Sequence, residues 1–122
     1  GERWYARAEA GRARRARSFV ELPIQVTRGA RLPFIGTMVG LAGTRGARLL
    51  ARSCVGEPLV NLELHAMDFL EAADGLSALV PYQPELRTPL AQRLEALGAA
   101  LEVLAKAGYS FVRLEEAARA FR

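Results

Sequence analysis

Leucines recur with helical spacing near the C-terminal end of the chain. They occupy positions 90, 94, 97, 101 and 104, at intervals of four and three residues. That spacing places them on one face of a helix, which is typical of packing in a core. Thr88 is suited to the N-cap and Pro89 to the first helical position, and Gly108 is a natural terminator. We therefore predict a helix between Thr88 and Gly108, with its leucine face buried.

A second helix is predicted from about Gly36 to Ser53. Its apolar positions are interrupted near Gly43-Thr44-Arg45-Gly46, so that either one helix or two shorter helices fit the pattern. A short closing helix is predicted from Leu114 to Phe121.

Three stretches favour β-strands. In residues 59–65, Val60, Leu62 and Leu64 alternate with polar side chains, the period of a strand with one buried face. Residues 18–26 and 109–113 are the other two candidates. Pro23 lacks an N–H group, so it is expected at a sheet edge, at a bulge or at a strand start. Residues 66–87 contain turn residues and prolines, and we expect them to be irregular.

Alternation of helices and strands indicates an α/β fold with parallel strands joined by right-handed crossovers. We predict two parts, an Arg-rich helical lead-in over residues 1–17 and a domain over residues 18–122. Three parallel strands leave faces and edges uncovered. The chain is therefore expected to belong to something larger or to pair with another chain.

The charge lies mainly in the lead-in. The chain has 17 basic and 13 acidic residues, a net charge of +4. Six arginines and two glutamates fall within residues 1–17, so the remainder is neutral. The arginines are not interleaved with aromatic stacking positions, and no helix-turn-helix pattern is clear, so no nucleic-acid partner is expected. No apolar run is long enough for a membrane span. The single cysteine, Cys54, is expected to be a small buried hydrophobe.

His65 is the only histidine, and it lies at the C-terminal end of the predicted strand 59–65, three residues before Asp68. In α/β folds, ligands and catalytic groups gather at the C-terminal ends of strands. Histidine exchanges protons readily at physiological pH, which makes His65 a candidate proton carrier. The alternative is a solvated or hydrogen-bonded structural histidine.

Four stretches taken together resemble the C-terminal half of the catalytic domain of the polysaccharide deacetylase family. The resemblance extends over about residues 18–121, most of the chain. The four stretches are Glu21-Leu-Pro-Ile-Gln-Val-Thr27, Arg31-Leu-Pro-Phe-Ile-Gly-Thr37, Val60-Asn-Leu-Glu-Leu-His-Ala-Met-Asp-Phe69 and Gly108-Tyr-Ser-Phe-Val-Arg-Leu-Glu-Glu-Ala-Ala118. The resemblance implies a partial (β/α) barrel of about three parallel strands. It also implies a metal-dependent hydrolase that removes acyl groups from amino sugars.

The resemblance assigns roles to two adjacent residues. His65 would be the general acid that protonates the leaving amine, and Leu64 would wall the acyl pocket. Asp68 is a candidate to orient the imidazole or to stabilise its charge. Arg31, in a loop, is a candidate contact for a substrate anion or else a surface residue.

The metal-binding motifs of the family are missing. The chain has no Asp-Asp pair, and one histidine cannot form a His-x-x-x-His site. A catalytic zinc site needs about three protein ligands and an open position. We therefore expect no metal in this chain, and a divalent metal such as zinc only with a missing N-terminal half.

We expect the C-terminal part of a deacetylase-like hydrolase that is inactive without that half. Its expected partners are the missing half or a second copy, with a carbohydrate substrate. The alternatives are a non-catalytic binding or assembly module that self-associates and, third, a nucleic-acid binder acting through the Arg-rich lead-in.

Overall fold

The computed structural model describes residues 20–120, and their regular secondary structure is mainly helical. Helix α1 spans Gly36–Cys54, α2 spans Leu90–Lys106 and α3 spans Leu114–Ala120. Four short 3₁₀ turns lie between α1 and α2, at Ala66–Phe69, Ala72–Asp74, Ser77–Leu79 and Pro84–Arg87.

The predicted α/β fold, a partial (β/α) barrel with about three parallel strands, is wrong. The described residues contain two isolated β-bridges and no regular sheet. Val26 pairs with Pro33 in the antiparallel sense and Ile35 pairs with Glu63 in the parallel sense. Pro33 has no N–H group to extend its ladder. The described parts of the predicted strands 18–26 and 109–113 form no strand.

Backbone hydrogen bonds nevertheless hold three extended segments side by side. The N–H of Gln25 donates to the carbonyl of Asn61 at 3.0 Å, and the N–H of Phe34 donates to the carbonyl of Gln25 at 2.7 Å. The N–H of Gly36 donates to the carbonyl of Glu63 at 2.8 Å. The stretch that precedes His65 is therefore fixed against the residues that lead into α1.

Helix α1 confirms the predicted helix and the interruption within it. Two helical stretches meet at Gly43, where the backbone is non-helical with φ 65° and ψ 177°. A positive φ of this size costs a glycine little, so the kink falls where the sequence has no side chain to oppose it. Glycine is a common cause of sharp kinks in helices.

Small side chains, rather than leucines, form most of the contact between α1 and α2. The fully buried core residues on the two helices are Val39, Ala47, Ala51, Cys54, Ala96 and Ala100, joined by Phe34 from the preceding segment. Leu94 of the predicted leucine face is 42% exposed, whereas Leu104 is buried. The prediction that the leucine face is buried is therefore only partly correct. Small residues at the interface let the two helices approach closely, and they occupy most of the buried positions.

The start of α2 also differs from the prediction. The helix begins at Leu90, with Pro89 at the N-cap and no side-chain cap. The carbonyl of Thr88 instead accepts a hydrogen bond from Arg93 Nε at 3.1 Å.

Residues 24–111 form one compact unit, and the described residues of a second unit are 20–23 and 112–120. Helix α3 belongs to the second unit and confirms the predicted closing helix. The predicted lead-in over residues 1–17 lies outside the described residues. None of the helices within residues 20–120 has the length and apolar character required to cross a membrane.

Candidate functional site

His65 follows the extended segment 61–63 and presents its imidazole to solvent. The side chain is 58% exposed, and its Nε2 lies 3.3 Å from Glu63 Oε1. Side chains two residues apart lie on the same side of an extended backbone, which explains why Glu63 meets His65. The imidazole is thus accessible and has a carboxylate neighbour from its own segment.

Asp68 bonds to the backbone of His65, whereas the carboxylate beside the imidazole is that of Glu63. Asp68 Oδ2 accepts the N–H of His65 at 2.7 Å, and the Thr37 hydroxyl donates to Asp68 Oδ1 at 3.4 Å. The Asp68 side chain lies in the 3₁₀ turn that follows His65 and is buried. What Asp68 fixes directly is therefore the main chain from which the imidazole projects.

The Asp68 carboxylate lies against the N-terminus of α1. A Cβ added at Gly36, the first residue of the helix, would lie 2.2 Å from Asp68 Oδ2. The N-terminal end of a helix carries partial positive charge, which favours a carboxylate there. Glycine at position 36 thus makes room for a buried anion.

Arg93 ties the same turn to α2. It is 4% exposed and donates from Nη1 to the carbonyls of Met67 at 3.1 Å and Asp68 at 3.0 Å. Its Nη2 donates to the carbonyl of Leu70. Together with the hydrogen bond from Nε to the carbonyl of Thr88, the guanidinium donates to four backbone carbonyls. Buried cations are tolerated when their N–H groups are satisfied in this way.

Arg93 was not recognised as a site residue from the sequence, although a signal was present. Residues three and four apart share a helix face, so Arg93 is on the same face as Ala96, Ala100 and Leu104. A charged residue on the buried face of an amphipathic helix needs hydrogen-bond partners from elsewhere in the fold. The position of an arginine on that face is therefore the signal by which the sequence marks Arg93.

The other two candidate residues lie apart from this bonding. Leu64 is 40% exposed, and its side chain lies on the opposite side of the backbone from its neighbour His65. Arg31 is exposed and ends a tight turn, with φ 54° and its N–H donating to the carbonyl of Thr27 at 3.1 Å. Their assigned roles toward a substrate stay predictions.

Within residues 20–120, no group of three or more His, Cys, Asp or Glu side chains is arranged to hold a metal ion. The expected absence of a metal from this chain and its expected place in a missing half both stay predictions. The Cys54 thiol is no substitute nucleophile, since burial raises its pKa and keeps it protonated.

The arrangement can hold and transfer a proton at an exposed imidazole whose backbone is fixed by buried groups. No protein-family model, no curated protein and no solved structure matches the chain.

Proposed function

We propose that the chain is the C-terminal part of a polysaccharide deacetylase-like hydrolase, in which His65 is the general acid. The observation that supports this most is the combination at His65 of a fixed backbone and an exposed side chain. Its N–H is bonded at 2.7 Å to the buried Asp68, while its imidazole is 58% exposed. Glu71 has the same backbone bond to Asp74, but Asp74 is exposed, so the burial of Asp68 is what distinguishes His65.

In this proposal, residues outside those that the structure describes would hold a divalent metal, which would activate the water that attacks the amide. The chemical contribution of this chain comes when the tetrahedral intermediate collapses. The imidazolium of His65 gives its proton to the sugar nitrogen as the C–N bond breaks, and the acyl group leaves as a carboxylate. The Glu63 carboxylate, 3.3 Å from Nε2, is placed to hold the orientation of the imidazole before that transfer.

Leu64 contributes to substrate binding in the same proposal. Its side chain is exposed and so accessible to an acyl methyl group, and it leaves the backbone on the side opposite to that of the His65 imidazole. Because it is 40% exposed, truncation removes little core packing. Leu64→Ala should therefore raise KM for the acylated sugar with a loss of about 1 kcal/mol in stability, well below the cost at a fully buried leucine.

The experiment is a deacetylation assay on an N-acetylated oligosaccharide. It uses this chain together with the metal-binding half, whether that half is on the same polypeptide or on a second one. His65→Ala should lower kcat by about 10²–10⁴-fold, the usual contribution of a general acid. The same change should cost about 1 kcal/mol of stability or less, because the side chain lies outside the core. Asp74→Ala, at an exposed acid in a nearby turn, is the control and should keep the wild-type kcat.

Two outcomes contradict the proposal. One is wild-type turnover in His65→Ala. The other is a complete protein that binds no metal and releases no acetate. Self-association in the second case would favour the alternative, a non-catalytic assembly module.

A further inference from the structure

We propose that Asp68, supported by Arg93, is a positioning residue for His65. This inference rests on the proposed function, since it concerns how the proton donor is held. The segment in question is residues 65–70, named here the His65 turn.

Asp68 holds both sides of the His65 main chain. Its Oδ2 accepts the N–H of His65 at 2.7 Å, and its own N–H donates to the carbonyl of His65 at 3.0 Å. Bonds to the N–H and to the carbonyl of one residue restrain both of its backbone torsions. The direction in which the imidazole leaves the backbone is therefore fixed by Asp68.

The two long helices in turn hold the His65 turn. Helix α1 supplies the Thr37 hydroxyl and, at Gly36, the space that the carboxylate fills. Helix α2 supplies Arg93, whose guanidinium donates to the carbonyls of Met67, Asp68 and Leu70. A proton donor held on rigid elements needs less ordering when the substrate arrives, which lowers the barrier to reaction.

A neighbouring turn of the same chain shows which part of this arrangement is local. Asp74 Oδ2 accepts the N–H of Glu71 at 2.8 Å, and the Asp74 N–H donates to the Glu71 carbonyl at 3.0 Å. The bonding repeats that of Asp68 and His65, but Asp74 is exposed. Local turn chemistry thus accounts for both turns, whereas burial beside α1 and Arg93 distinguishes the His65 turn.

The first measurement is amide hydrogen exchange on the 122-residue chain. The His65 N–H should be protected in the wild type, although its side chain is exposed. Asp68→Ala should remove that protection and Asp68→Asn should keep most of it, because the amide oxygen still accepts the bond. Asp74→Ala should leave it unchanged. An unprotected His65 N–H in the wild type overturns the inference, whether or not any variant folds.

The second measurement is deacetylation kinetics in the complete enzyme, below the melting temperature of each variant. Asp68→Ala should lower kcat by about 10-fold or more with KM nearly unchanged, since small displacements of a catalytic group are costly. Asp68→Asn should restore most of kcat, which a purely charge-based role would not allow. Asp74→Ala should match the wild type.

The outcomes separate the inference from the proposed function. Wild-type kcat in folded Asp68→Ala, with a low kcat in His65→Ala, overturns the inference alone. A kcat in Asp68→Asn as low as in Asp68→Ala also overturns it. Wild-type kcat in His65→Ala overturns the proposed function, and with it the claim that Asp68 positions a catalytic group. The exchange experiment still shows whether Asp68 holds the His65 N–H.

Discussion

Replacing Arg93 with methionine removes the one side chain that joins α2 to the His65 turn through several hydrogen bonds. Methionine keeps most of the stem that covers Gly40, where an added Cβ would lie 3.1 Å from Arg93 Cγ. The change therefore isolates the guanidinium. Four backbone carbonyls each lose the hydrogen bond from Arg93, those of Met67, Asp68, Leu70 and Thr88.

Hydrogen bonds to a charged donor contribute about 1.5–3 kcal/mol each, which would give a large sum if they were additive. They are not additive, because the native state also bears the cost of removing the guanidinium from water. Relief of that cost offsets much of the loss when methionine takes its place. We expect Arg93→Met to lower the free energy of unfolding by about 3–4 kcal/mol, in the range seen when one partner of a buried charged group is lost.

Arg87→Met is the matched control. Arg87 also donates to two backbone carbonyls, those of Val80 at 3.2 Å and Pro81 at 2.8 Å, but it is exposed. Water replaces those bonds, so the control should cost about 1 kcal/mol or less. Urea unfolding of both variants, followed by circular dichroism, gives the two values. Equal costs would show that burial of the Arg93 guanidinium is unimportant and would refute the reasoning.

Two further predictions concern glycines and the cysteine. Gly36→Ala should destabilise the fold by about 2–3 kcal/mol, because its Cβ would lie 2.2 Å from Asp68 Oδ2. Gly98→Ala in α2, with nothing within 4 Å of the added Cβ, should stabilise the fold by about 0.5–1 kcal/mol, and thermal melts that order these two variants otherwise would contradict the contacts. Burial raises the pKa of the Cys54 thiol, so the unfolded chain loses this proton first as pH rises. The thiol's contribution to stability is complete below its ordinary pKa and declines above it, so urea unfolding between about pH 8 and 10 should show a shallower decline in Cys54→Ala. An unchanged slope in that variant would count against the buried thiol as the cause.

The sequence by itself determined the helices that local signals define. The apolar period located α1 and α2 to within a few residues, with Gly36 at the start of α1, Thr88 and Pro89 at the start of α2 and Gly108 at its end, and Gly43 marked the kink in α1. Such signals act between residues three or four apart, so they need no knowledge of the rest of the fold. The sequence also identified His65 and Asp68 as neighbours, since they lie in one turn.

Tertiary structure decided what depends on distant partners. Apolar and polar side chains alternate in the sequence of residues 59–65, but a strand also needs a neighbour of matching length, and among the described residues this stretch forms a single bridge, at Glu63. The face of α2 that is buried was set by how closely α1 approaches, which favoured Ala96 and Ala100 over Leu94. The role of Arg93 was also decided by residues that are distant in the sequence. Its four acceptors are backbone carbonyls, which every residue has, so side-chain identity could not reveal that the fold gathers them around one guanidinium.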